Sequence, residues 1–192
     1  CPAGAANFPE IWNPVTKTWT TLAENPTRTP RIYHSIALLL PDGRVLVGGG
    51  GLPAANGDRV VDTTTNTVVT CSGFPPGDPV ICRHYGHKDL DIYSPPYLFA
   101  GDDSLAPRPA ITSAPASVAL GDTFNVSISS GLQVNSAVLM PLPTVTHGLN
   151  FDQRRVVLLP RASSTTTNLS LTMPTSGAIC PPGYYMMFVI AN

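Results

Sequence analysis

Hydrophobic residues recur along this chain in short runs that do not follow the 3.6-residue period of an amphipathic helix. The runs are rich in valine, isoleucine, threonine and aromatic residues, and proline, glycine, asparagine or aspartate separates each run from the next. Branched and aromatic side chains favour extended backbone, whereas the separating residues favour turns. The pattern therefore predicts an all-β protein.

Residues 10–51 form one unit of this pattern. Two strands are predicted around the turn at Asn13-Pro14, and two more around the turn at Pro41-Asp42-Gly43. The last strand runs into Gly48 to Gly51, where the backbone can approach closely near the axis of a β-propeller. Four strands with such a glycine run fit one blade of a kelch-type propeller and the start of the next. Because one repeat cannot close a ring, we expect the remaining blades upstream.

A proline-rich stretch divides the chain. Residues 94–109 contain four prolines, where the hydrogen bonds of a strand ladder would fail, so we predict a domain boundary there. Residues 1–104 are assigned to the C-terminal blades of an incomplete propeller. Residues 105–192 are assigned to an immunoglobulin-like β-sandwich, which we expect to be truncated at its C-terminus.

The strands on either side of this boundary follow from the same alternation. Residues 52–92 predict strands at Val60–Val69 and Asp89–Tyr93, with a loop held between Cys71 and Cys82. Sandwich strands are predicted at Ile111, Ser117–Leu120, Thr123–Ser129, Ala137–Met140, Arg155–Leu159, Asn168–Met173 and Tyr184–Ile190.

Charge and cysteine content restrict the function. The 11 basic and 12 acidic residues leave a net charge of −1 and no basic stripe, which argues against nucleic acid and anionic lipid as partners. No apolar run is long enough to cross a bilayer. The four cysteines lack CxxC spacing, so disulfides are favoured over a zinc site. Together with sequons at Asn125 and Asn168, they predict a secreted glycoprotein.

Three side chains are candidates for chemistry. His34 follows Tyr33 directly, and because neighbours on a regular strand point to opposite faces, both can serve one site only if the backbone is irregular there. His147 lies in a loop beside Gly148, where an exposed histidine with no ligand role is the alternative. Two imidazoles and a phenol suit copper.

Other polar residues are given structural roles. The stretch containing His84 and His87 is interpreted as an exposed loop. Asp152, Arg154 and Arg155 are predicted to form an ion-pair network at a domain junction. The chain has no GxSxG elbow, P-loop or dinucleotide fingerprint.

Two motifs resemble one family. The first is Arg31-Ile32-Tyr33-His34-Ser35, which continues through Leu38-Leu39-Leu40-Pro41-Asp42-Gly43-Arg44-Val45 to the glycine run. The second is Thr146-His147 followed by Asn150 and Asp152-Gln153-Arg154-Arg155. They occur in the order and context of the copper radical oxidases, the galactose oxidase and glyoxal oxidase family. The resemblance covers essentially the whole chain and is weakest over residues 52–92.

This resemblance implies a fold and a metal site. The expected architecture is a seven-bladed kelch-type propeller with one copper on its axis, followed by an early-set sandwich whose loop donates a histidine. Tyr33 would be the axial ligand and, when deprotonated, the base for the substrate hydroxyl proton. His34 and His147 would be the equatorial ligands.

The family oxidises a primary alcohol or an aldehyde by two electrons and reduces O₂ to H₂O₂. Copper supplies one electron, and a tyrosyl radical on a tyrosine joined to a cysteine supplies the other. Residues 1–30 contain no tyrosine, so that radical cofactor is expected from the upstream propeller part of the same protein.

The sequence leaves two hypotheses, which assign the chain to different classes of protein. One is the C-terminal part of a secreted copper radical oxidase acting on a small alcohol, sugar or aldehyde with O₂. The other is a catalytically inactive extracellular glycoprotein that keeps this fold for a structural or carbohydrate-binding role. Its partners would be extracellular matrix or cell-wall components.

Overall fold

The computed structural model describes residues 8–24, 31, 34–50, 59–62, 67–70, 89–129 and 132–191. Within these ranges the regular structure is β-sheet, apart from one 3₁₀ turn at Pro96–Leu98, so the predicted all-β class is confirmed. The strands are β1 Glu10–Asn13, β2 Thr18–Thr21, β3 Ser35–Leu39, β4 Val45–Gly49, β5 Arg59–Asp62, β6 Thr67–Thr70, β7 Leu90–Tyr93, β8 Ala110–Ser113, β9 Thr123–Ser129, β10 Val134–Pro141, β11 Val145–Thr146, β12 Leu149–Asn150, β13 Val156–Leu158, β14 Asn168–Thr172 and β15 Tyr185–Ala191.

The first seven strands form separate small sheets. Strands β1 and β2 make one hairpin, and β5 and β6 make another. Strands β3 and β4 do not join the first hairpin but pair with β7 in a three-stranded sheet ordered β3-β4-β7. The single strand predicted at Val60–Val69 is therefore wrong, because that segment forms two paired strands in this part of the chain. The assignment of these sheets to propeller blades stays a prediction.

Two three-stranded sheets share a core in the second half of the chain. One is ordered β14-β9-β8 and the other β13-β10-β15. Along β9, buried and exposed residues alternate, and register places Phe124 opposite Leu171 and Val126 opposite Leu169. These side chains belong to a single buried cluster that also includes Ala137, Leu139, Val156 and Leu158 from the other sheet. The two sheets therefore form a β-sandwich.

One predicted sandwich strand is wrong. Residues 117–120 are not a strand, because the chain turns there: the Asp122 amide donates to the Ala119 carbonyl, and Gly121 adopts a φ of 82°. The Gly121 amide then donates to the Pro174 carbonyl. This segment leads the chain into β9 and does not extend a sheet.

Of the four cysteines, Cys180 lies in the described part of the chain. Cys180 is buried, and its thiol is free within the described part of the chain. Cys1 and the predicted loop between Cys71 and Cys82 lie outside the described residues. Burial and a hydrogen bond with Cys180 raise the pKa of the nearby Tyr185 phenol, which donates to the Pro181 carbonyl at 2.6 Å.

The contacts between residues divide the chain into two compact units. The first comprises Cys1–Ala37, Val47–Asp91 and Thr146–Gly148, and the second comprises Leu38–Leu46, Ile92–Val145 and Leu149–Asn192. The sandwich strands fall in the second unit. This grouping follows contacts and not sequence order, and a domain boundary at residue 104 stays a prediction.

Candidate metal centre

His34 occupies the junction between a loop and strand β3, which begins at Ser35. Its φ is 61°, in the left-handed region that few residues other than glycine adopt, although histidine is enriched among those that do. The irregular backbone that a site shared by Tyr33 and His34 would require is thus present at His34. Tyr33 lies outside the described residues.

His147 lies at the tip of a hairpin formed by β11 and β12. Its φ is 57° and that of Gly148 is 79°, so both residues of the two-residue loop have the positive φ of a type I′ turn. Glycine adopts this conformation readily, whereas histidine at the first loop position is held in it by the hairpin. The sequence predicted a loop here but not the two short strands that form it.

These two histidines meet within the first unit. Their ring centroids lie 4.5 Å apart, and the ring planes are inclined by 44°. The approach extends to the backbone, since a Cβ added at Gly148 would lie 3.8 Å from the Ser35 carbonyl oxygen. Two histidines that are far apart in sequence, both predicted as copper ligands, are thus neighbours.

A hydroxyl holds the His147 ring. Thr146 Oγ1 and His147 Nδ1 lie 2.7 Å apart, within hydrogen-bonding distance. A partner on one ring nitrogen determines which tautomer is present and fixes the ring orientation. Thr146 therefore restricts how His147 presents its Nε2 atom.

Gly49 of β4 packs against the backbone of His34. It has a φ of 62°, and a Cβ added there would lie 3.2 Å from the His34 carbonyl oxygen. A Cβ on Gly48 would instead overlap the Leu90 side chain. The glycine at position 49 thus permits a close backbone approach to His34, whereas the predicted place of the glycine run near a propeller axis stays a prediction.

The chemistry of the pair fits copper. Imidazole nitrogen is a preferred ligand of Cu(II), and both histidine side chains are exposed to an approaching ion. Within the described ranges, no group of three or more His, Cys, Asp or Glu side chains could hold a metal ion. The described part thus offers two imidazole ligands, and further ligands must come from other residues.

Several remaining predictions concern nearby polar residues. His84 and His87 lie outside the described residues. Asp152 accepts a hydrogen bond from the Thr144 hydroxyl, and Arg154 donates to the carbonyls of Ala178 and Ile179 at 2.6 and 2.8 Å. Arg154 therefore braces backbone within the second unit, whereas Asp152 binds a side-chain hydroxyl, and no ion pair of the network predicted around Asp152 is present among the described residues.

Sequence reasoning assigned no role to Arg31. Its guanidinium contacts strand β4 and two carboxylates at β7, although it precedes His34 by only three residues. The signal available in the sequence was the Asp89-Leu90-Asp91 alternation, which places two carboxylates on one face of a strand.

Comparison with known proteins relates this chain to a family of oxidases. Residues 108–192 match the family described as galactose oxidase-like, early set domain. Those residues are a galactose oxidase-like early set domain. A galactose oxidase from Gibberella zeae is 36% identical over 183 residues, which cover 95% of this chain and 22% of that protein. An aldehyde oxidase from Arabidopsis thaliana is 31% identical over 176 residues, covering 87% of this chain and 25% of that one.

The fold of this chain is also similar to that of a solved structure. The structure is of a fungal alcohol oxidase of the AA5 family in complex with copper, and it matches with a TM-score of 0.75 at 28% identity. The match covers 97% of this chain and 33% of that chain. The chain is therefore a homologue of galactose and aldehyde oxidases over nearly all its residues, and it spans about a fifth to a third of the length of these relatives.

Proposed function

We propose that this chain is the C-terminal part of a secreted, copper-dependent oxidase. In this proposal a primary alcohol or an aldehyde hydrate is oxidised by two electrons, and O₂ is reduced to H₂O₂. The observation that carries the proposal is the 4.5 Å approach of the His34 and His147 rings, on backbone that is left-handed at both residues. The relatives support it, since they include a galactose oxidase, an aldehyde oxidase and a copper-bound alcohol oxidase.

Three residues of this chain would hold the copper. His34 and His147 would each bind through an imidazole nitrogen, and Tyr33 would bind through its phenolic Oη. Because Nδ1 of His147 is already within hydrogen-bonding distance of the Thr146 hydroxyl, His147 would bind the metal through Nε2. When bound, copper would supply one of the two electron-accepting centres of the oxidation.

Tyr33 would also act as the base that accepts the proton of the substrate hydroxyl. As a phenolate, its Oη accepts the proton of the substrate hydroxyl, which makes the alcohol oxygen electron-rich and prepares the adjacent carbon for oxidation. Loss of that proton, one further hydrogen and one electron converts the alcohol to an aldehyde. Two electrons and two protons passed to O₂ then give H₂O₂, so the reaction balances.

The rest of the active protein is proposed to lie upstream. The chain spans only 22–33% of the length of its relatives, and residues 1–104 would complete a propeller with that upstream part. The second electron-accepting centre, a tyrosine joined to a cysteine, would come from there. Residues 105–192 would be the early-set sandwich that brings His147 to the metal.

Secretion is part of the same proposal. Asn125 and Asn168 are exposed on the neighbouring strands β9 and β14, where oligosaccharides can be attached without burying them. In the described part of the chain no helix has both the length and the apolar character needed to cross a bilayer.

Copper analysis and a peroxide assay on the full-length protein test the proposal. We expect about one copper per molecule and H₂O₂ formation from galactose, simple primary alcohols or glyoxals. His147→Ala should remove both copper and activity, whereas Gly101→Ala, on an open surface loop with nothing within 4 Å of the added Cβ, serves as the matched control. Full-length protein that contains no copper and is silent on all three substrate classes overturns the proposal.

An exposed tryptophan pair favours the second candidate, a carbohydrate-binding scaffold. Trp12 and Trp19 lie opposite each other on β1 and β2 with ring centroids 5.2 Å apart, and Trp19 is 63% exposed. Exposed aromatic faces can stack on sugar rings. If polysaccharide binding persists in His147→Ala while the parent protein makes no H₂O₂, the scaffold is the better account. Loss of binding in Trp19→Ala would place the sugar on this hairpin.

A further inference from the structure

Arg31 is held by three acceptors on two strands. Its NH1 donates to the Gly49 carbonyl at 2.9 Å, and its NH2 donates to Asp89 Oδ2 at 2.7 Å and Asp91 Oδ2 at 2.9 Å. The two carboxylates reach one guanidinium because residues two apart at a strand face the same side. The Arg31 side chain is only 6% exposed. We call this group of Arg31, Asp89, Asp91 and the Gly49 carbonyl the arginine clamp.

The arginine clamp lies close to His34 both along the chain and across the sheet. Along the chain, Arg31 precedes Tyr33 by two residues and His34 by three, so it is at most about 11 Å from His34 between Cα atoms. Across the sheet, the residue whose carbonyl Arg31 binds is Gly49, and this glycine packs against the His34 carbonyl. The position of His34 is therefore fixed between Arg31 and Gly49, both members of the clamp.

Stability alone does not explain the clamp. The Arg31 guanidinium is buried while Asp89 and Asp91 remain 49% and 26% exposed, so desolvation of the guanidinium offsets much of the Coulombic gain of these pairs. Arg31 carries an additional cost, because its Nε is buried with no hydrogen-bond partner in the described part of the chain. The planar guanidinium instead fixes positions, because its rigid set of donors ties Arg31 to Gly49 of β4 and to the carboxylates at β7.

We propose that Arg31 is a positioning residue for the copper ligands. The arginine clamp holds His34 so that its imidazole meets that of His147. This inference rests on the proposed function for the identity of the metal, but the placement of His34 that it asserts is a property of the metal-free protein. Arg31 would act on the metal through His34 and not as a ligand.

The proposal is tested with Arg31→Met, Arg31→Lys and Asp91→Asn in the full-length protein. The Cu(II) dissociation constant is measured by competition with a chelator, and the Cu(II) EPR spectrum reports the geometry of the bound ion. Arg44→Met is the matched control, because Arg44 pairs with Asp42 at 2.7 Å in the β3–β4 turn, yet both side chains are 44% exposed.

We expect Arg31→Met to weaken Cu(II) binding by roughly 10- to 100-fold and to alter the EPR hyperfine splitting. Arg31→Lys should restore affinity only in part, because an ammonium cannot span both carboxylates and the carbonyl as the guanidinium fork does. Asp91→Asn, which replaces one charged acceptor by a neutral amide, should fall between Arg31→Met and wild type. Arg44→Met should bind copper as wild type does.

A purely structural role predicts a different result. In that case Arg31→Met would lower the melting temperature of the metal-free protein, while the folded fraction would bind Cu(II) with wild-type affinity and an unchanged EPR spectrum. That outcome overturns the proposal. If Arg31→Met does not fold, the same comparison is made with Arg31→Lys and Asp91→Asn.

The metal-free crystal structures separate this inference from the proposed function. Wild-type protein that binds no copper would defeat the copper oxidase, but it leaves the His34 placement measurable. The clamp predicts that the His34 and His147 rings move apart in Arg31→Met or Asp91→Asn relative to wild type. An unchanged ring separation in both variants overturns the positioning role, whatever metal the protein binds.

Discussion

Both candidate ligands, His34 and His147, have left-handed backbone, which costs an L-amino acid about 1–2 kcal/mol. Such a conformation persists where its surroundings enforce it, and it is concentrated at functional sites. Gly49 lies against the His34 carbonyl, and Gly148 completes the turn that holds His147. His34 and His147 therefore both combine a strained backbone with a neighbouring glycine.

Replacing Gly49 by alanine should disturb this packing. The added Cβ would lie 3.2 Å from the His34 carbonyl, on backbone with a φ of 62°. We expect a loss of stability of about 1–2 kcal/mol, together with weaker copper binding. Thermal unfolding and a Cu(II) competition titration measure the two effects. Gly101→Ala is the control, and equal copper affinity in the two variants would contradict the role given to Gly49.

Thr146→Val should loosen the His147 ring. The substitution keeps the shape of the side chain but removes the hydroxyl that lies 2.7 Å from Nδ1. Loss of an outer partner of a metal-binding histidine commonly weakens metal affinity by about 10-fold or more. Thr146→Ser should retain most of the affinity. If valine and serine variants bind Cu(II) equally well, the hydroxyl does not orient His147.

The sequence predicted the histidines better than the residues that support them. His34 and His147 stand in recognisable motifs. Arg31 stands in the first motif too, but its role could not be predicted, because its carboxylate partners lie 58 and 60 residues away in the sequence. Only the pairing of β7 with β4 brings those carboxylates to it.

At the scale of elements, the sandwich is held by cross-strand pairs between β9 and β14. Leu171 is fully buried opposite Phe124, and Leu169 lies opposite Val126. The alternation that predicted these strands works because one face of each packs on a core and the other meets solvent. It failed at residues 117–120, where a turn interrupts the pattern, and at β11 and β12, which have only two residues each.

Leu171→Ala tests this core directly. Removing a fully buried leucine side chain without repacking should cost about 2–5 kcal/mol. Val157→Ala, at an exposed position on β13, should cost much less. Thermal or urea unfolding of the full-length protein followed by far-ultraviolet circular dichroism measures both. Similar losses in the two variants would contradict the placement of Leu171 in the core.

At the scale of the whole molecule, the chain brings residues of two sequence regions into one site. The hairpin tip Thr146–Gly148 groups with the first unit, although the strands before and after it belong to the second. The propeller blades are predicted from the strand and glycine pattern of residues 10–51, whereas the radical cofactor follows from the resemblance alone, because residues outside this chain would have to supply it.

The most direct test of the account is the EPR spectrum of the full-length protein loaded with Cu(II), compared with His34→Ala and His147→Ala. If both imidazoles bind the metal, the wild-type spectrum should show superhyperfine coupling to two nitrogen nuclei, and each variant should lose one of them. A wild-type spectrum without nitrogen coupling, or one that neither substitution changes, would contradict a copper centre at His34 and His147.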